Sequence, residues 1–248
     1  MKPLTIKGVS FGDGSPRICI PITGRTEEEI LDIAGRLSGL SFDMAEWRAD
    51  YFKDVFDPER VRFVMAELKD LLPGRLLLFT FRSGGEGGER PAPEKDYKKV
   101  CQSTAVSGLP DLLDLELFTC GEALPALIEA AHSRGTAVIL SNHDFEKTPP
   151  KEELLSRLSK MEQAGCDMAK LAVMPRSPMD VLTLMEATCA ASEALSCPVI
   201  TMSMGPLGAV SRVSGRLTGS CLTFGTAGEA SAPGQLPAGE LKRILSLL

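Results

Sequence analysis

Short apolar runs alternate with segments of helical period along nearly the whole chain. The runs at 17–21, 42–48, 76–81, 112–116, 137–141, 167–171, 198–201 and 221–224 have the length and content of buried strands. Between them, helical spacing predicts helices from Thr26, over 58–72, 95–107, 121–134, 151–164 and 178–196, a weak glycine-broken segment at 207–212, and a terminal helix over 239–248. Thr26 and Glu29 form a capping-box signature, followed by Ile30, Ile33, Ala34 and Leu37 on one helical face. Pro58 suits a first helical turn, and Pro73-Gly74 suits a stop. Residues 4–11 predict a hairpin turning near Lys7-Gly8. Regular strand–helix alternation predicts a parallel sheet. Eight strands at spacings of about 25–30 residues predict closure into a single (β/α)8 barrel of the TIM type with a short N-terminal β-hairpin. An open doubly wound sheet is the alternative. Neither Gly-x-Gly-x-x-Gly nor a Walker A motif follows the first strand, which disfavours a nucleotide-binding version.

Polar residues enter the strands in a consistent way. Successive strand residues point to opposite faces, so Met44, Glu46 and Arg48 share a face, as do Leu78, Thr80 and Arg82. The same holds for Leu112, Asp114 and Glu116, for Ile139, Ser141 and His143, and for Cys166, Met168 and Lys170. Each set runs from apolar to polar toward the carboxyl end, where barrel enzymes build their sites. Lys170 is the outlier, because a buried strand rarely carries an unpaired lysine. Burial disfavours the ammonium. A drop of about 3 units from ~10.4 leaves a large share of such amines neutral and nucleophilic near pH 7. Blander readings stand beside this one. Glu46/Arg48 is a structural ion pair, Asp114 and Glu116 neutralise the arginines, and Lys170 pairs with Glu46 or Glu116. His143 serves a strand-to-loop junction, and His132 caps a helix end facing solvent. The glycine-rich segment 82–90 is either a phosphate cradle or a turn presenting Arg82 and Glu86, and 225–235 is either a lid or a plain connection.

Composition narrows the class. A chain of 248 residues with 44% hydrophobic content fits one barrel spanning 1–248. A net charge of −6 with interspersed signs argues against nucleic acid as partner. The seven cysteines are odd in number and form no Cys-x-x-Cys, which predicts free thiols in a reducing compartment. With two histidines and no carboxylate cluster at ligand spacing, no metal and no other cofactor is expected. No signal-peptide pattern and no apolar run of membrane-spanning length occurs, so a cytoplasmic protein without membrane attachment is expected.

In chain order stand Glu46-Trp47-Arg48-Ala49-Asp50, Phe79-Thr80-Phe81-Arg82-Ser83 with Glu86-Gly87-Gly88, and Asp114-Leu115-Glu116-Leu117. They are followed by Ser141-Asn142-His143-Asp144-Phe145, Lys170-Leu171-Ala172, Met202-Ser203-Met204-Gly205, Ser211-Arg212 and Ser231-Ala232-Pro233-Gly234-Gln235. Each is weak alone, but the ordered set resembles the type I 3-dehydroquinate dehydratases. The resemblance implies a metal-free barrel, a homodimer, and dehydration of 3-dehydroquinate to 3-dehydroshikimate in the shikimate pathway. It implies Lys170 as the Schiff-base lysine, His143 as general acid/base and Glu86 as the acid that orients it. It further implies Arg212 as the substrate-carboxylate ligand, Glu46, Arg48 and Arg82 as substrate contacts, and Ser231 and Gln235 on a closing loop. Pro21 departs from the serine of some relatives. The rivals are a Schiff-base aldolase barrel and a non-catalytic barrel that binds a small carboxylate.

Overall fold

In the computed structural model, which describes residues 2–228 and 232–248, the apolar runs form eight parallel strands. They are β3 (Arg17–Ile22), β4 (Met44–Arg48), β5 (Leu76–Thr80), β6 (Leu112–Glu116), β7 (Ala137–Asp144), β8 (Met168–Val173), β9 (Val199–Ser203) and β10 (Leu222–Thr226). From β3 to β9 each strand pairs with the next in sequence, and β10 pairs with β3. The seam between β9 and β10 is made largely by one side chain. The Cys221 amide donates to the Val199 carbonyl at 2.9 Å. Ser220 Oγ accepts the Thr201 amide at 3.0 Å and donates to the Thr201 carbonyl at 3.3 Å. The sheet is therefore a closed (β/α)8 barrel, not the open alternative.

The helices that follow the strands are α1 (Glu27–Leu37), α2 (Pro58–Leu71), α3 (Glu94–Ser107), α4 (Leu124–His132), α5 (Lys151–Gln163), α6 (Pro178–Ala194), the short α7 (Gly215–Thr218) and α8 (Ala238–Leu245). Period two sorts the core into two layers. Met44, Leu78, Leu112, Ile139, Met168 and Ile200 fill the barrel interior, while Trp47, Phe79, Leu115 and Leu140 face the helices. The hairpin of β1 (Leu4–Ile6) and β2 (Val9–Phe11) plugs the amino-terminal mouth with the fully buried Phe11. Its two-residue turn has positive φ at Lys7 and Gly8, as a type I′ turn requires. Asp111 fastens it there by accepting from Lys7 Nζ and from the Leu77 amide.

Several boundaries differ from the sequence expectation. Strand β4 starts at Met44 rather than 42, because the Asp43 carboxylate takes the Ile18 amide at 2.8 Å. Strand β7 runs on to Asp144, three residues beyond the expected end, since β8 continues beside it as far as Val173. His143 thus stands on the ladder and not in a loop. The helix expected over 121–134 divides into a 3-10 turn, Gly121–Ala123, and α4. The weak segment is a 3-10 turn, Ala209–Arg212, and the carboxyl end gains a two-residue strand β11 (Leu236–Pro237) beside β10. At α1, Thr26 Oγ1 accepts the Glu29 amide, but Glu29 reaches the Arg25 amide, so the box closes one residue upstream.

Candidate active site

The carboxyl ends of the strands surround a partly open cavity. The inward rows supply its walls: Glu46 and Arg48 from β4, His143 from β7, Lys170 from β8, Met202 from β9 and Phe224 from β10. Arg82 and Glu86 enter just beyond β5, Arg212 from the turn after β9, and Gln235 from the chain after β10. Eight of the nine residues singled out in the sequence therefore meet at one cavity. The ninth, Ser231, lies outside the described residues.

Lys170 is 4% exposed and sits at the floor. Its Nζ lies 3.5 Å from Asp114 Oδ2, 3.6 Å from Glu46 Oε1 and 4.4 Å from the centre of the Phe224 ring. It is a paired lysine, and the pairing is with Glu46 and Asp114. Glu116 stands one pleat further up, where its carboxylate accepts from Arg82 Nη1 at 3.0 Å and from the Ser83 amide at 2.8 Å. Arg82 also bonds Asp114 at 2.9 Å and Ser141 Oγ at 2.9 Å, so it locks the three inner rows of β5, β6 and β7 together. Burial works against the Asp114 carboxylate, but Arg82, Lys170 and the Ser141 hydroxyl outweigh it and hold it below the usual carboxylate range.

His143 Nδ1 lies 2.8 Å from Glu86 Oε2, the same oxygen that accepts the His143 amide at 3.0 Å. Asn142 Nδ2 donates to Glu86 Oε1 at 3.0 Å. Burial holds the imidazole well below its ordinary range, and the Arg82, Lys170 and Arg48 cations push the same way. Burial also pushes the Glu86 carboxyl up to about 8, against the pull of Arg82 at 3.7 Å. With Glu86 ionised, Nδ1 carries the hydrogen and Nε2 keeps a free lone pair for the cavity.

The arginines differ in what they already hold. Arg48 makes a two-pronged pair with Asp50 at 2.8 and 2.8 Å and lies over the Tyr51 ring. Arg82 is saturated by carboxylates. Arg212, 2% exposed, has no carboxylate partner among the described residues. Its Nη2 donates to the Pro233 carbonyl at 2.9 Å, its Nε has no partner among the described residues, and burial lowers its pKa to about 10. A buried guanidinium without a counter-ion beside a cavity is a receptor for an anion.

The chain matches the family model "Type I 3-dehydroquinase" over residues 18–248. It is 46% identical to the 3-dehydroquinate dehydratase of Bacillus licheniformis over 100% of its own length and 98% of that protein's. The chain belongs to the type I 3-dehydroquinase family. Among solved members, the Clostridium difficile type I enzyme, crystallised with covalently modified comenic acid, superposes with a TM-score of 0.95 at 42% identity, covering 100% of this chain and 98% of that one. The Geobacillus kaustophilus 3-dehydroquinate dehydratase gives 0.96 at 38% identity, covering 100% and 96%.

Within this 3-dehydroquinase fold, sequence reasoning passed over several contributors. Thr80 donates to Glu46 at 2.9 Å and Ser141 to Asp114 at 2.7 Å; both were visible on the polar faces without a role. Asp50 continues the run 46, 48, 50. Asn142 points away from the inward row, so period two offers no signal for it, and Phe224 is an apolar residue that reads as core. Among the described residues, no group of three or more His, Cys, Asp or Glu is placed to hold a metal, and no helix is long and apolar enough to cross a membrane.

Proposed function

We propose that the chain dehydrates 3-dehydroquinate to 3-dehydroshikimate in the shikimate pathway through a Schiff base on Lys170, with residues 1–248 acting as one catalytic domain. The observation that carries this reading is the convergence on one cavity of a buried amine, an imidazole held on a carboxylate and a buried guanidinium with no carboxylate partner among the described residues. Lys170 attacks the C3 ketone, and loss of one water leaves an iminium that draws electrons from the neighbouring carbon. His143 Nε2 takes the C2 proton, giving an enamine. The enamine expels the C1 hydroxyl, which leaves as water with the proton returned by His143. A water molecule then hydrolyses the product imine and frees Lys170. The net change is loss of one water from the substrate.

The remaining groups orient the ring. Arg212 meets the carboxylate, and Glu46, Arg48 and Arg82 face the ring hydroxyls. When ionised, Glu86 keeps His143 in the tautomer that leaves Nε2 free. Gln235, which lines the cavity, lies on the segment that closes over the substrate. The seven free thiols suit a reducing, cytoplasmic setting. A homodimer is supported by the apolar side chains that α6 and α7 expose, Met179 at 65%, Leu182 at 54% and Leu217 at 77%.

Borohydride added with 3-dehydroquinate tests the covalent step. Irreversible reduction onto the Lys170 peptide, with loss of activity, is the expected result. Dehydration without any adduct would remove the amine mechanism, and normal turnover by purified Lys170→Ala would do the same.

A further inference from the structure

Asp50 has a buried carboxylate, 0% exposed, at the end of β4, with more hydrogen bonds than an ion pair needs. Oδ1 accepts from Arg48 Nε at 2.8 Å and from the Arg82 amide at 3.4 Å. Oδ2 accepts from Arg48 Nη2 at 2.8 Å and from the Glu89 amide at 2.9 Å. Compensating Arg48 explains two of these bonds. The other two go to backbone amides that bracket the turn carrying Glu86.

That turn is closed within its ends. The Glu86 and Gly88 amides both donate to the Ser83 carbonyl, at 3.0 and 2.8 Å, and Glu116 holds the Ser83 amide at 2.8 Å. Gly87 has φ +82° and lies against the Phe145 ring, and a Cβ at Gly88 would collide with the Arg82 carbonyl. With its two feet held, the turn has little freedom in where it puts the Glu86 carboxylate. That carboxylate in turn sets the ring of His143.

We propose that Asp50 is a positioning residue for proton transfer: it grips both feet of the 82–89 turn, and so holds Glu86 against His143 Nδ1, while aligning Arg48 with the same carboxylate. This rests on the reading of His143 as the acid/base. A displacement of about 1 Å at such a pair costs on the order of 10²-fold in rate. Asp50→Asn keeps the shape but puts an N–H₂ where a donor already points, so at least one foot is released.

The chain has two histidines, so ¹⁵N imidazole spectra resolve His143 against His132 as an internal reference. Above pH 8, where the Glu86 carboxyl is ionised, His143 of substrate-free wild type is expected as the Nδ1–H tautomer. In Asp50→Asn it becomes a mixture while His132 is unchanged, kcat falls about 10²-fold, and borohydride still traps substrate on Lys170 at saturation. A folded Asp50→Asn with the wild-type His143 spectrum overturns the proposal, whether kcat is kept or is lost through Arg48 alone. If Asp50→Asn does not fold, amide exchange in wild type decides: slow exchange at Glu89 supports the grip, and exchange at free-loop rates overturns it. Failure of the Schiff-base reading shows separately, as absence of any wild-type adduct, because the histidine spectrum needs no substrate.

Discussion

Replacing Arg212 by methionine should make the protein more stable and nearly inactive. Burial alone brings this guanidinium from near 12.5 to about 10. At about 1.4 kcal/mol per pH unit, holding the charge there disfavours the folded state by about 3 kcal/mol. Arg212→Met removes that cost. Against it stand one lost hydrogen bond, to the Pro233 carbonyl, worth about 1 kcal/mol, and a repacking cost of up to about 1 kcal/mol. The Pro233 carbonyl is not stranded, because the Gly205 amide also donates to it at 3.2 Å. The net is a gain of about 1–2 kcal/mol, read as a higher urea midpoint and, at about 2–4 °C per kcal/mol, a raised Tm. Activity goes the other way. Losing one partner of a buried charge pair costs about 2–5 kcal/mol, so kcat/KM should fall between about 30-fold and several thousand-fold, mostly through KM. Substrate should raise the Tm of wild type and leave that of the variant unchanged. A variant that is less stable than wild type by more than about 1 kcal/mol, yet keeps kcat/KM, would refute the reasoning.

Other perturbations address the seam, the acid pair and the turn. Ser220→Ala strands the Thr201 amide and carbonyl at the closing strand pair and should cost about 1–3 kcal/mol in urea unfolding; an unchanged midpoint would mean that the barrel closes without it. Glu86 is raised to about 8 from 4.5, so the folded state binds its proton more tightly than the unfolded state does. Its stability contribution is full below about pH 4.5 and is lost as pH rises through 8. Glu86→Gln should therefore flatten the fall in stability between pH 5 and 8, and parallel curves for the two proteins would contradict this. Because His143 is held well below 6.5, the acid limb of kcat/KM should lie below that pH, and a limb centred at or above it would assign the base elsewhere. Gly88→Ala should force the turn off the Arg82 carbonyl and depress kcat while Lys170 adducts still form; wild-type kcat would show that the turn tolerates displacement.

What could be read from sequence, and what could not, follows from the kind of contact involved. The alternation in 44–48, 112–116 and 168–170 reports which face a side chain takes, and the inward rows stand as that pattern requires. It does not report height along the barrel. Glu116 and Asp114 share a face, yet only Asp114 is level with Lys170, because the stagger between β6, β7 and β8 is a property of the closed sheet. The end of β7 was read short for a related reason: Asn142, His143 and Asp144 have loop-like composition, and the neighbour that keeps them extended lies about 30 residues away in sequence. Asp50 stood in a quoted motif without a role because half of its partners are backbone amides, which no residue pattern displays. The arginines show the same limit most sharply. Arg48, Arg82 and Arg212 are three identical letters near strand ends, and resemblance alone separated them. In the folded chain, Arg48 is taken by Asp50 and Arg82 by Asp114 and Glu116, which leaves Arg212 as the buried guanidinium with no carboxylate among the described residues. On the proposed reading, the cavity's preference for an anion comes less from how many cations surround it than from Arg212, the cation without a carboxylate among the described residues.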